Sequence, residues 1–180
     1  MIIISNNIQL QKITISDQPK LMELVTRVYI PVYEHLWKGE DCNWYLNRFY
    51  SKENLRKELD EINTEYYFVI YKSQDVGILR IHYNKPLKDY PKNSNVYLHR
   101  IYLGIEVHGK GVAKALFNWV EQRAKNIGKN SIWLKCMDTQ QQALRFYTKQ
   151  GYEKIGTTSL DFELIKKDFN GMLIFWTTLK

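Results

Sequence analysis

Six residues, His108-Gly109-Lys110-Gly111-Val112-Ala113, constrain this chain more than any other stretch. Ahead of them Val96–Leu103 alternates as a strand does, and after them Val112–Ala124 is patterned as a helix. A strand that passes through a glycine-rich turn into a helix start leaves backbone N–H groups without partners. Backed by the positive end of the helix dipole, they form an anion site. Gly109 and Gly111 let a bulky phosphate approach backbone that a side chain would shield, so a diphosphate ligand is expected. The P-loop pattern fails, because Val112 and Ala113 stand where it needs Lys-Ser or Lys-Thr. The Rossmann fingerprint fails too: its third glycine is Ala113, and Ile132-Trp133-Leu134, about twenty residues on, carries no acid. Taken alone, the glycine pair also fits a plain tight turn.

A second motif narrows this. The segment Gln140-Gln141-Gln142-Ala143-Leu144-Arg145-Phe146-Tyr147-Thr148-Lys149-Gln150-Gly151-Tyr152 resembles the C-terminal signature of the GNAT family of N-acetyltransferases. That signature reads Asn-x-x-Ala-x-x-Phe-Tyr-x-x-x-Gly-Phe and follows a loop of Gln/Arg-x-x-Gly-x-Gly/Ala type. Both occur here in order, and the resemblance runs from the strand and helix near Ile13 to the strand ending at Leu179.

The resemblance implies an α/β fold (an α+β mixed sheet) with acetyl-CoA as co-substrate and no metal. The sheet would splay between Val96–Leu103 and Ile132–Met137. The pantetheine arm would pair with backbone near Ile101, Tyr102 and Leu103, since an unpaired strand edge is a template for another extended amide chain. The diphosphate would meet the N–H groups of His108, Gly109, Lys110, Gly111, Val112 and Ala113. Tyr147 matches the family's general acid, which protonates the departing thiolate; pinning its helix to the sheet is its other reading. Gln140 replaces the asparagine that contacts the CoA chain, and Lys149 is a candidate phosphate contact. Two departures stand out: His108 where Gln or Arg is usual, and Gly104-Ile105 in place of a hydrophobic-Pro pair.

Composition agrees. The 180 residues are read as a single domain over 1–180, with 44% apolar content typical of a soluble globule. No apolar run reaches a membrane span and no secretory signal opens the chain, so no membrane partner is expected. Cys42 and Cys136 lack metal or framework spacing and the four histidines are scattered, which points to a reducing cytoplasm and no metal site. The net charge of +7 would steer coenzyme A electrostatically, yet solvated helix faces account for most of the lysines. Nucleic acid is not expected as a partner, because the lysines form neither a tail nor a stripe.

The expected order is a strand at Ile8–Ile15, helices at Pro19–Val32, Cys42–Phe49 and Lys52–Ile62, and a hairpin of Tyr66–Tyr71 and Gly77–Tyr83 around Lys72–Asp75. A loop over Lys85–Ser94 follows, then the Val96–Leu103 strand, the glycine loop and its helix. The strand Ile132–Met137, a helix at Gln140–Gln150 and two strands, Thr157–Leu164 and Met172–Leu179, complete it.

An acceptor ammonium must lose a proton before it can attack a thioester. Strict alternation puts Tyr97, His99, Ile101 and Leu103 on one face, with Arg100 opposite. His99 stands where many members of the family carry Glu, and an imidazole titrating near neutrality suits the base, directly or through water. A cross-strand surface histidine is the plainer reading, and His82 is a second candidate. Leu103 N–H is the expected donor to the thioester carbonyl. Cys136 reads as a core thiol rather than an acyl carrier.

The aromatic run from Tyr29 to Trp37, continuing through Trp44, looks like the PaiA-type polyamine N-acetyltransferases. That resemblance implies a small-molecule amine, with a polyamine as one candidate. Tyr33, Trp37 and Trp44 would offer faces and Glu34, Glu40 and Asp41 acid, although ordinary helix packing and solvated charge are the favoured reading of them. A protein or peptide acceptor, and a CoA-binding domain without catalysis, stay open. Dimers are common in the family, so a homodimer is compatible with the chain.

Overall fold

The computed structural model describes residues 1–87 and 94–179, so the loop expected over Lys85–Ser94 lies partly outside the described residues. Strands β1 (Ile2–Ser5) and β2 (Ile8–Lys12) open the chain as a hairpin, followed by helices α1 (Gln18–Tyr33), α2 (Asn43–Tyr50) and α3 (Lys52–Asp60). Then come β3 (Thr64–Tyr71), β4 (Gln74–Tyr83), β5 (Asn95–Leu103), α4 (Val112–Asn126), β6 (Ser131–Met137), α5 (Gln141–Lys149), β7 (Glu153–Ser159) and β8 (Gly171–Thr178). The strands form one mixed sheet in the order β1-β2-β3-β4-β5-β6-β8-β7, parallel between β5 and β6 and antiparallel elsewhere.

Local chemistry explains the boundaries. Pro19 occupies the first turn of α1, where its missing N–H is no loss. The Ser51 hydroxyl accepts the Asn54 N–H at 3.2 Å and caps α3. Lys72 and Ser73 both take positive φ, 48° and 65°, and Tyr71 pairs with Gln74. The β3–β4 turn is therefore a two-residue one, tighter than the expected Lys72–Asp75.

Helices α1–α3 cover one face of the sheet, burying Leu21, Val25, Tyr29 and Tyr50 with Tyr66, Phe68 and Ile78. Helices α4 and α5 cover the other, burying Leu116, Phe117, Val120 and Tyr147 with Leu79, Leu98, Leu134 and Phe175. Two expectations shift. Strand β1 was not anticipated, and the penultimate strand lies at Glu153–Ser159 rather than Thr157–Leu164. It is an edge strand with an exposed face and so lacks a strong apolar pattern, whereas Leu160, Phe162 and Leu164 pack against the α1–α3 core from irregular chain.

A bulge corrects the alternation along β5. Arg80 pairs with Arg100 while Ile81 pairs with Leu98, which leaves His99 as the extra residue. Beyond it the faces exchange. Arg100 and Tyr102 join the α1–α3 side with Tyr97 and His99, while Ile101 and Leu103 pack with the α4–α5 core. Arg100 is thus not opposite His99.

Across β4 from this segment, Gly77 admits no side chain, because a Cβ would collide with the Tyr102 carbonyl oxygen. Gly77→Ala is expected to cost about 1–3 kcal/mol by overpacking, read as a lower denaturation midpoint at unchanged m-value.

Candidate active site

The bulged strand opens the site. β5 and β6 pair from Asn95–Ser131 to Leu98–Leu134 and then part, with β5 continuing to Leu103 and β6 to Met137. Gly104 N–H donates to the Val76 carbonyl at 2.8 Å on the β4 side. Ladder alternation therefore turns the N–H groups of Leu103 and Ile101 away from β4, into the gap.

Two cavities meet in that gap. The first, about 410 Å³, lies beneath the glycine loop and the start of α4, with Leu103, His108, Gln140 and Phe146 on its wall. Gly109 and Gly111 take φ of 73° and 77°, and a Cβ at either would meet nothing within 4 Å. Glycine is needed there for backbone conformation and for open approach. The anticipated cradle narrows, because His108 N–H donates to the Ile105 carbonyl (3.1 Å) and Lys110 N–H to the Val107 carbonyl (3.2 Å). Ala115 N–H donates to the Gly111 carbonyl at 3.0 Å, so the N–H groups of Val112, Ala113 and Lys114 precede the helical ladder. Neither Lys110 nor Lys149 is on the wall. The Lys110 ammonium sits 5.9 Å from the centre of the Tyr71 ring, and Lys149 is exposed.

The second cavity, about 260 Å³, lies on the α1–α2 side and is walled mainly by aromatic rings, among them the expected Tyr33 and Trp37. Phe49, Phe162, His99 and Arg100 also line it. Tyr33, Ile101, Tyr102, Ala143 and Tyr147 belong to both cavities. Glu34 is off the wall, and Glu40 and Asp41 are exposed. The described lining contains no carboxylate.

Tyr147, 8% exposed, is fixed by Phe117 and Phe175 at ring separations of 5.7 and 5.6 Å. Burial, reinforced by the nearby Cys136 thiol, holds its phenol well above the usual range, so the hydroxyl keeps its proton. Burial likewise pushes Cys136, on the second cavity's wall, up to about 12, which leaves no thiolate at neutral pH.

The polar floor is a network that sequence reasoning missed. Glu58 from α3 receives Arg100 Nη1 at 2.8 Å on each carboxylate oxygen, and Arg80 Nη2 reaches Glu61 Oε2 at 2.8 Å. Arg80 also donates from Nη1 to His99 Nδ1 at 2.5 Å. A guanidinium can only donate, so Nδ1 must accept and the ring proton sits on Nε2. His99 is a neutral N–H donor. Burial and the flanking Arg100 and Arg80 hold its pKa well below 6.5. The free, near-neutral base expected at this position is not what the fold builds. The visible signal was Arg80 inside the otherwise apolar run Gly77–Ile81, since a buried charge requires a partner.

His82 behaves alike, lowered to about 3 by burial, then by Arg80, Lys85 and Arg100. Both imidazoles therefore stay neutral in the fold where an unfolded chain would bind protons. Stability should be complete above the ordinary 6.5 and fall as pH drops below it. The expected slope is up to about 1.4 kcal/mol per pH unit for each histidine. Urea denaturation between pH 7 and 5, with His82→Gln and His99→Gln each flattening the slope, checks this; a flat wild-type profile would refute it.

A family model described as Acetyltransferase (GNAT) family matches residues 20–152. A curated relative, "Uncharacterized N-acetyltransferase in pepI 3'region" of Lactobacillus delbrueckii subsp. lactis, is 19% identical over 144 residues, 80% of this chain and 83% of its own length. The PaiA N-acetyltransferase of Thermoplasma acidophilum, in complex with coenzyme A, superposes with a TM-score of 0.71 at 19% identity, covering 95% of this chain and 98% of that one. Mutant forms of the spermidine/spermine N-acetyltransferase SpeG from Vibrio cholerae give a TM-score of 0.65 at 14% identity, covering 97% and 95%. At such identities the structures speak to the fold alone.

Proposed function

Because the chain belongs to the GNAT family of acetyltransferases, we propose that this N-acetyltransferase moves the acetyl group of acetyl-CoA directly to the primary amine of a small molecule, within a ternary complex. The observation that carries this reading is the meeting of two cavities at Tyr147, one beneath a helix start suited to an anion and the other lined with aromatic rings. We read residues 1–180 as one catalytic unit.

Coenzyme A suits the first cavity: the N–H groups of Val112, Ala113 and Lys114 answer a diphosphate, and the unpaired β5 edge at Ile101 and Leu103 answers an amide-bearing arm. When bound, acetyl-CoA supplies a thioester-activated acetyl group. Leu103 N–H polarises its carbonyl, and the Tyr147 hydroxyl gives a proton to the departing sulfur. His99 presents Nε2–H to the acceptor side, orienting amine or water, and the proton shed by nitrogen passes to solvent. The thiol and the amide result, and Tyr147 is reprotonated from water.

A polyamine acceptor needs carboxylates around its cations. With Glu34, Glu40 and Asp41 off the described wall, the geometry favours a less charged amine. A thiol-release assay with acetyl-CoA against spermidine, spermine, diamines, arylalkylamines and short peptides tests the proposal. Turnover on a small amine supports it. Turnover on peptides alone would replace it with the protein-acceptor reading, and binding without turnover would leave a CoA-binding domain.

A further inference from the structure

We propose that the acceptor is a monoamine carried on an aromatic ring, and that the second cavity selects against polycations. The inference rests on the acceptor-cavity reading above and deepens it.

The cavity wall offers rings packed on one another rather than an open cage. Trp37 and Phe162 lie nearly parallel, 18° apart with centroids at 6.1 Å, and Phe49 bridges Tyr45 (4.8 Å) and Phe162 (5.4 Å). Several ring faces that could hold an ammonium are already taken. Tyr29 is stacked between Tyr33 at 4.6 Å and Tyr45 at 4.8 Å, and Tyr97 is stacked on Trp133 at 4.0 Å. Beside the polar atoms of His99, Arg100 and Lys135, the wall offers apolar surface and ring edges, which suit an aryl group stacked or edge-on. At about 260 Å³ the cavity is smaller than the roughly 300–1,000 Å³ typical of drug-sized sites, which fits one compact ring system.

Charge points the same way. The cationic side chains on the wall are Arg100 and Lys135. Arg100 is held in a buried pair with Glu58, so its carboxylate partner is already engaged. A second ammonium on the acceptor would meet positive charge without a described carboxylate to receive it. A single amine can instead enter as its free base toward Tyr147, with its ring among Trp37, Phe49 and Phe162.

The test measures kcat/KM on the full chain at saturating acetyl-CoA with varied benzylamine, phenethylamine or tryptamine, against varied putrescine and spermidine. The best aromatic monoamine is expected to exceed either polyamine by about 100-fold. Equal or better turnover of a polyamine would overturn this inference while leaving acetyl transfer intact. Absence of thiol release with every amine, despite acetyl-CoA binding by calorimetry, would instead overturn the transferase reading beneath it. Phe162→Asp, in half-buried irregular chain and with circular dichroism matching wild type, should narrow the aromatic-to-polyamine ratio about tenfold by adding one carboxylate. An unchanged ratio would remove this wall from acceptor binding.

Discussion

Tyr147→Phe is expected to lower kcat by about 10²–10⁴-fold, the span associated with losing a positioned general acid. The substitution deletes one oxygen and keeps the ring that packs against Phe117 and Phe175, so the fold and both cavities should persist. Acetyl-CoA affinity should change less than about threefold, under 1 kcal/mol. Because the phenol is held well above its usual range, the wild-type rate should show no loss of the acid form through pH 9. Single-turnover kinetics with calorimetry separates the two effects. A variant that binds acetyl-CoA poorly but turns over normally would mean that Tyr147 is structural.

Glu58→Ala should produce the largest change in stability. Glu58, Arg80 and Arg100 are 7%, 1% and 6% exposed, and removing the carboxylate strands the Arg100 guanidinium away from water. Breaking a buried pair from one side costs about 3–5 kcal/mol, a large part of the roughly 5–15 kcal/mol that holds a domain together. The double change Glu58→Leu with Arg100→Leu should recover much of that loss, since an apolar pair needs no counter-ion. Urea denaturation of wild type and the two variants reads this directly. A loss under about 1 kcal/mol for Glu58→Ala would show that solvent reaches the pair.

What could be read from sequence was what depends on neighbours in the chain. The glycine loop, the α4 pattern and the β5 and β6 runs are local, and they emerged close to their expected bounds. Where expectation and structure part, the cause is tertiary. The bulge at His99 appears only through pairing with β4, and it exchanged the faces assigned to Arg100, Ile101 and Leu103. The tautomer of His99 is set by Arg80 from the neighbouring strand, and Arg80 in turn by Glu61 beyond α3. Glu34, Glu40 and Asp41 carried the right chemistry for a cation site, but the turns after α1 leave them off the described cavity wall. Strand β7 was misplaced because an exposed edge needs no apolar alternation.

The two cavities share α1, β5 and α5 but differ elsewhere. The first alone takes in the glycine loop and the start of α4; the second alone takes in α2 and residues from Leu160–Ile165. Tyr33, Ile101, Tyr102, Ala143 and Tyr147 stand on both walls and join the two sides. A lineage built on this plan can exchange one specificity for another by rewriting two surface segments while selection holds the junction still.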